Sequence, residues 1–202
     1  MESKSILYVN HIKAKVCCHI IADSHLSSQI IAFFSMFQIS EYNIGCKCIG
    51  IFEIYSCKTN ICLNYLKQNY VFGSIYEVLM FVADSLLCID EYMGCYHGAV
   101  CQSPNGKAIA LIGETMAGKT SLNMFLCKSG FKYLSDDVVL INEDYKVLSL
   151  PIPVKVRSGI IYNDSFYDKF IICSNNEYKI LGSLSNKTTE CDYEIDKFIF
   201  LH

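Results

Sequence analysis

The strongest chemical signal in the chain is an unbroken run of eight residues, Gly113-Glu114-Thr115-Met116-Ala117-Gly118-Lys119-Thr120. It matches G-x-x-x-x-G-K-[ST] at every fixed position. Glycine at 113 and 118 lets the backbone turn successive N–H groups inward around phosphate oxygens. The N-terminus of a following helix adds unpaired amides and the positive end of its dipole. Lys119 can reach the β- and γ-phosphates of a nucleotide, and the Thr120 hydroxyl can ligate Mg²⁺. Residues 113–121, from Gly113 through Ser121, are therefore the expected phosphate-binding loop.

A second group of chemically capable residues is Ser135-Asp136-Asp137, set between Phe131-Lys132-Tyr133-Leu134 and Val138-Val139-Leu140-Ile141. Two carboxylates interrupt an apolar, strand-type run, where burial without partners is costly. In a phosphate-loop protein such an aspartate holds the Mg²⁺ shell or acts on the attacking nucleophile. Adjacent residues of a strand point to opposite faces, so the pair is expected to divide two jobs. Asp137 follows Lys119 by 18 residues, and a helix with a return strand brings them together. His97-Gly98 lies on the strand expected before the motif; taken alone, such a histidine reads as an edge or core residue.

The elements that must hold these groups are legible around the motif. Ala108–Ile112 is a continuous apolar run of the kind found in a central strand. Ser121–Lys128 reads as a helix closed by Gly130. Upstream, Tyr96–Cys101 reads as a strand, joined to the next by a turn at Ser103-Pro104-Asn105-Gly106. Ser74 with Glu77 resembles a capping box, and Ile75, Val78, Leu79, Val82 and Leu86 follow at helical spacing. The first 70 residues read as strand-rich, with strands over Ala14–Ala22 and Ile49–Cys57 and a short helix over Leu26–Phe37.

With 202 residues, 52% of them hydrophobic and only three prolines, the chain can bury a substantial core and is not disordered. A net charge of −3 without blocks of like charge lends no support to a nucleic-acid or membrane partner. The N-terminus MESKSILYVNHIK lacks the apolar segment of a signal peptide, which leads us to expect a cytoplasmic protein. The twelve cysteines are then expected as reduced thiols. Cys46, Cys48, Cys57 and Cys62 lack the paired spacing of a structural zinc site and read as small buried apolar side chains, as do Cys17 and Cys18.

Taken together, His97-Gly98-Ala99-Val100, the GETMAGKT loop and Tyr133-Leu134-Ser135-Asp136-Asp137 resemble the HPr kinase/phosphorylase family and its shorter relatives, some associated with modified-peptide biosynthesis. Pro151-Ile152-Pro153-Val154-Lys155 is similar to the proline-containing strand that follows there. The resemblance spans about His97 to Gly159. It implies an α/β fold, with a P-loop core of HPr-kinase/PEP-carboxykinase-like type over residues 73–202 and a strand-rich region, residues 1–72, packed on it. It further implies transfer of a phosphoryl group from Mg-ATP to a serine or threonine hydroxyl of a peptide or small protein. Asp137 is then the general base, Thr120 and Asp136 hold the metal, Lys119 stabilises the transferring group and His97 lies near the γ-phosphate or acceptor. HPr kinases also assemble into rings, which implies a homo-oligomer or a partner enzyme.

The chain departs from that pattern in three places. Glu114, Thr115 and Met116 are bulkier than the Ser/Gly-rich loops of the relatives. Lys155-Val156-Arg157 stands where HPr kinases place a further metal-binding glutamate, which argues against a second metal; Lys155 or Arg157 could contact phosphate instead. Ile195–His202 reads as a core strand that the relatives follow with another helix, so the core is expected to be cut short. These departures keep two other readings open: a nucleotide-binding accessory subunit without phosphotransfer, and a small-metabolite kinase. A GTPase is disfavoured, because no N-K-x-D signature is present.

Overall fold

β-Branched and aromatic residues dominate the first 72 positions, and they pair there as strands. The structure is a computed structural model that describes residues 4–11, 16–34, 37–40, 47–87, 92–150, 152–156, 167–173, 176–181 and 192–202. Its architecture is mixed α/β, with two six-stranded sheets, a three-stranded sheet and few helices. Residues 1–89 with 171–175 form one compact unit, and residues 90–170 with 176–202 form the other. Among the described residues, no helix is long and apolar enough to cross a membrane.

The sheet of the first unit runs β3-β1-β2-β4-β5-β6. Its strands are β1 (Lys4–His11), β2 (Val16–Asp23), β3 (Gln38–Ser40), β4 (Lys47–Cys57), β5 (Asn60–Tyr65) and β6 (Gln68–Phe72). β2 and β4 are parallel and the other neighbours antiparallel. The helix expected over Leu26–Phe37 is shorter: α1 covers Ser27–Phe33 after a single 3₁₀ turn. α2 (Ile75–Leu87) buries the expected stripe of Ile75, Val78, Leu79, Val82 and Leu86. Its cap differs from a capping box by one residue. Ser74 Oγ accepts the Glu77 N–H at 3.4 Å, but the Glu77 carboxylate accepts the N–H of Gly73, at 2.9 Å. Phe81 of α2 packs on the rings of Tyr65, Tyr70 and Phe72, so α2 falls in this unit, whereas the sequence division opens the second region at residue 73.

The second unit is organised around a closed ring of strand pairings. β7 (Tyr92–Gln102) pairs with β8 (Ala108–Gly113), and β8 pairs in parallel with β15 (Asp192–Leu201). β15 then meets β11 (Lys146–Leu148), β11 meets β10 (Val138–Asn142), and β10 returns to β7. β9 (Lys132–Ser135) pairs with the other half of β7. Every strand of the ring contributes to one core cluster, with Val100, Ala108, Ala110, Leu134, Val139, Ile141, Val147 and Tyr193 at its centre. A third sheet joins β12 (Val154–Val156), β14 (Asn176–Leu181) and β13 (Tyr167–Cys173).

The expected core strand at Ile195–His202 needs correction. β15 does lie between β11 and β8, yet Phe198 and Phe200 remain 45% and 64% exposed and stack on each other at 6.4 Å. The reason is alternation: after the register shift between Ile195 and Lys197, Ile199 and Leu201 are the half-buried positions, and Phe198 and Phe200 share the opposite face. Gly98 is a tight point of the unit. A Cβ there would sit 2.5 Å from Val139 Cγ2 and 2.6 Å from the Leu111 carbonyl oxygen. Gly98→Ala is expected to lower stability by about 2 kcal/mol, as read from urea unfolding of the purified chain; an unchanged midpoint contradicts the packing described.

Candidate nucleotide and metal site

The motif loop leaves the end of β8 and enters α3 (Lys119–Lys128), so the predicted strand–loop–helix order is present. Gly118 caps the helix at φ 89°, and the Leu122 N–H closes the first turn on its carbonyl at 2.9 Å. Met116 also adopts a left-handed backbone, at φ 74°, and is 80% exposed. Gly113 is a glycine for a different reason than the one expected. A Cβ there would lie 2.4 Å from the Leu201 carbonyl oxygen of β15, so the neighbouring strand imposes it. The side chains of Glu114, Thr115 and Ser121 are exposed and Ala117 is half-buried. Lys119 is buried, and its Nζ donates to the carbonyls of Gly113 and Glu114 at 2.9 and 2.7 Å. Both partners are neutral, so an incoming phosphate competes with carbonyl dipoles rather than with a carboxylate.

At the far end of α3, the Phe131 N–H returns to the Leu126 carbonyl at 3.1 Å, and Gly130 takes φ 98°, ending the helix as predicted. β9 then runs back beside β7 and brings Asp136 to Thr120. Thr120 Oγ1 lies 3.0 Å from each carboxylate oxygen of Asp136. Asp136 is 2% exposed and Asp137 is half-buried.

The two aspartates do not alternate across a strand, as the sequence reading expects. Ser135 stands opposite Val100 and Val138 opposite His97, so two residues face two without insertion. Between them the strand breaks, and Asp137 takes φ 64°. Their different surroundings come from this kink. His97 is exposed, and its Nδ1 lies 3.0 Å from the Asp137 carbonyl oxygen, which also accepts the Gly98 N–H at 3.3 Å. A carbonyl only accepts, so Nδ1 is the donor in this contact.

The donor set suits the group the motif implies. A hydroxyl beside a carboxylate is a pair of hard oxygen ligands of the type Mg²⁺ prefers. Burial first, and the neighbouring Asp137 second, push the Asp136 carboxyl from 3.8 up to about 7, against the opposing effects of the Thr120 hydroxyl and Lys119. Such a group binds its proton more tightly in the folded chain than in the unfolded one.

Structure therefore brings together Thr120 with Asp136, and His97 with the Asp137 backbone, while Lys119 rests on the loop itself. Arg157 lies outside the described residues, as does Cys46, and nothing is described of the Lys155 side chain. Asn123, buried on α3, escaped the sequence reading; its Nδ2 donates to the Ser135 carbonyl at 3.1 Å. A polar residue in the buried stripe with Met124 and Cys127 was the available signal. The cysteine expectation holds only in part: Cys17, Cys18 and Cys62 are buried, but Cys48 and Cys57 are exposed at the ends of β4. Burial raises Cys101 and Cys127 to about 12, so neither supplies a thiolate beside the site.

No family model matches the chain, and no curated protein matches it.

The Asp136 shift fixes a sign. Below the unfolded carboxyl value both states are protonated and the group is neutral in its effect; stability then falls as pH rises from about 4 to about 7. In metal-free buffer at pH 8, Asp136→Asn is expected to unfold later than wild type by roughly 2–4 kcal/mol. The difference should shrink towards pH 4. Urea titrations at both pH values check it, and a pH-independent difference contradicts the assignment.

Proposed function

We propose that this protein is an ATP-dependent kinase with an HPr-kinase-like P-loop core, which transfers the γ-phosphoryl group to a serine or threonine hydroxyl of a peptide or small protein. The observation that carries the reading is the pair of 3.0 Å contacts between Thr120 Oγ1 and Asp136. They join the motif hydroxyl to a carboxylate 16 residues away, as a phosphoryl-transfer site requires. The resemblance to HPr kinases around His97, the loop and the aspartate pair supplies the acceptor class.

In this reading Thr120 and Asp136 would hold Mg²⁺, which neutralises phosphate charge when bound. Loop amides and the α3 N-terminus orient the phosphates. Lys119 exchanges the Gly113 and Glu114 carbonyls for phosphate oxygens and stabilises charge on the transferring group. Asp137 takes the acceptor hydroxyl proton as the new O–P bond forms and the bond to the departing ADP breaks. His97 fixes the Asp137 backbone through its carbonyl and directs Nε2 away from that bond. Proton removal contributes typically 10²–10⁴-fold to such reactions, roughly the loss expected on deleting the base.

Label transfer from γ-labelled Mg-ATP into peptides and proteins of the source cell tests the reading. Wild type should label an acceptor. Lys119→Ala should abolish transfer, and Asp137→Asn should lower it by about 10²-fold or more with ATP binding retained. Full activity in Asp137→Asn removes the assigned base. ATP binding without any transfer by wild type supports the accessory-subunit reading instead.

A further inference from the structure

A broken strand leaves backbone carbonyls that need donors, and at this break Ser135 and Asp136 are enclosed by protein. Three carbonyls of this segment receive donors, one each at Ser135 and Val138 and two at Asp137. The Ser135 carbonyl accepts from Asn123 Nδ2 at 3.1 Å. The Asp137 carbonyl accepts from His97 Nδ1 and Gly98 N–H, and the Val138 carbonyl accepts from Ser135 Oγ at 2.7 Å. Among these donors, Asn123 alone comes from α3, the helix that also carries Lys119 and Thr120. Asn123 and Ser135 are 1% and 0% exposed, so water cannot replace this bond without rearrangement. The amide is oriented from its other end by the Cys127 thiol, 4.0 Å from Asn123 Oδ1.

α3 therefore grips two consecutive residues: Asn123 holds the Ser135 backbone and Thr120 holds the Asp136 carboxylate. We propose that Asn123 is a positioning residue which sets Asp136 beside Thr120 for Mg²⁺, and so couples the metal to the nucleotide loop. The inference rests on the nucleotide reading above. It goes beyond that reading by giving the kinked strand a fixed mechanical link to α3. Phosphate contacts from the loop amides and Lys119 do not pass through Asn123, so its loss separates metal binding from nucleotide binding.

Calorimetric titration of the full chain with ADP, with and without Mg²⁺, tests this. The ratio of the two affinities measures the metal contribution. Asn123→Ala, and the near-isosteric Asn123→Leu, which has no donor, should each cut that ratio by about tenfold, the scale of one buried donor lost. ADP affinity without metal should stay within about twofold. Hydrogen exchange of the 134–138 backbone should quicken in both variants without metal, since the link is absent before any ligand arrives. Met124→Ala, a buried change on the same helix, serves as the control for general loosening and should leave the ratio at the wild-type value. A wild-type ratio in either foldable Asn123 variant overturns the inference, as does an equal drop in Met124→Ala. Failure of wild type to bind ADP at all, or to gain from Mg²⁺, overturns the nucleotide reading and this inference with it.

Discussion

A carboxylate enclosed to 2% exposure must be answered by hydrogen-bond donors or by a cation, and in this chain Asp136 sets that requirement. The Thr120 hydroxyl, a neutral donor shared between both oxygens, and the Asp137 backbone answer it, and Lys119 acts on it only through space. The weakened acidity of the group records the shortfall, its carboxyl pushed up by burial and by the adjacent Asp137. Much of the surrounding structure follows from keeping this group where it is. α3 must present Thr120 towards β9, and β9 must end one residue before the carboxylate. The strand must also bend rather than run straight through residues 136 and 137.

β7 spans the bend, its register against β9 shifting by one residue at Val100–Cys101. One long strand templates both β9 and β10, so Asp136 and Asp137 can leave the ladder while Ser135 and Val138 stay aligned with Val100 and His97. Close approach at Gly98 admits Val139 and the Leu111 carbonyl, which draws β10 and β8 tightly around β7. On the other side, Gly113 is pressed against Leu201 of β15. The mouth of the loop is thus held by the strand beyond it, and the ring of pairings gives the site a stiff base.

The elements flanking the motif were legible because local rules dominate there. Ala108–Ile112, the turn at Ser103–Gly106 and the helix ending at Gly130 each carry short-range signals that tertiary context did not override. The mixed α/β class was legible for the same reason. The kink was not, because nothing in Ser-Asp-Asp-Val separates a strand from a strand broken by side-chain donors on other elements. The role of Gly113 depends on Leu201, 88 residues later, and the exposure of Phe198 and Phe200 depends on the register shift of β15 against β8. Such facts belong to pairing partners rather than to the residues themselves. Helix α2 was legible as a helix, yet its allegiance to the first sheet rests on Phe81 meeting three rings of β5 and β6.

Geometry explains why Asn123, rather than a residue elsewhere on α3, can share the task with Thr120. Three residues of α-helix advance about 4.5 Å and keep nearly the same face. One strand residue advances about 3.3 Å, so neighbouring strand positions are the nearest match to an i, i+3 pair on a helix running alongside. In a flat strand those neighbours turn their side chains to opposite faces. The helix therefore cannot hold two adjacent side chains at once; it can hold one side chain and one backbone carbonyl. Thr120 takes the carboxylate and Asn123 takes the carbonyl, which is the combination observed. The next peptide leaves the ladder, and there Asp137 turns left-handed. A shorter side chain at 123 would leave the Ser135 carbonyl without that donor.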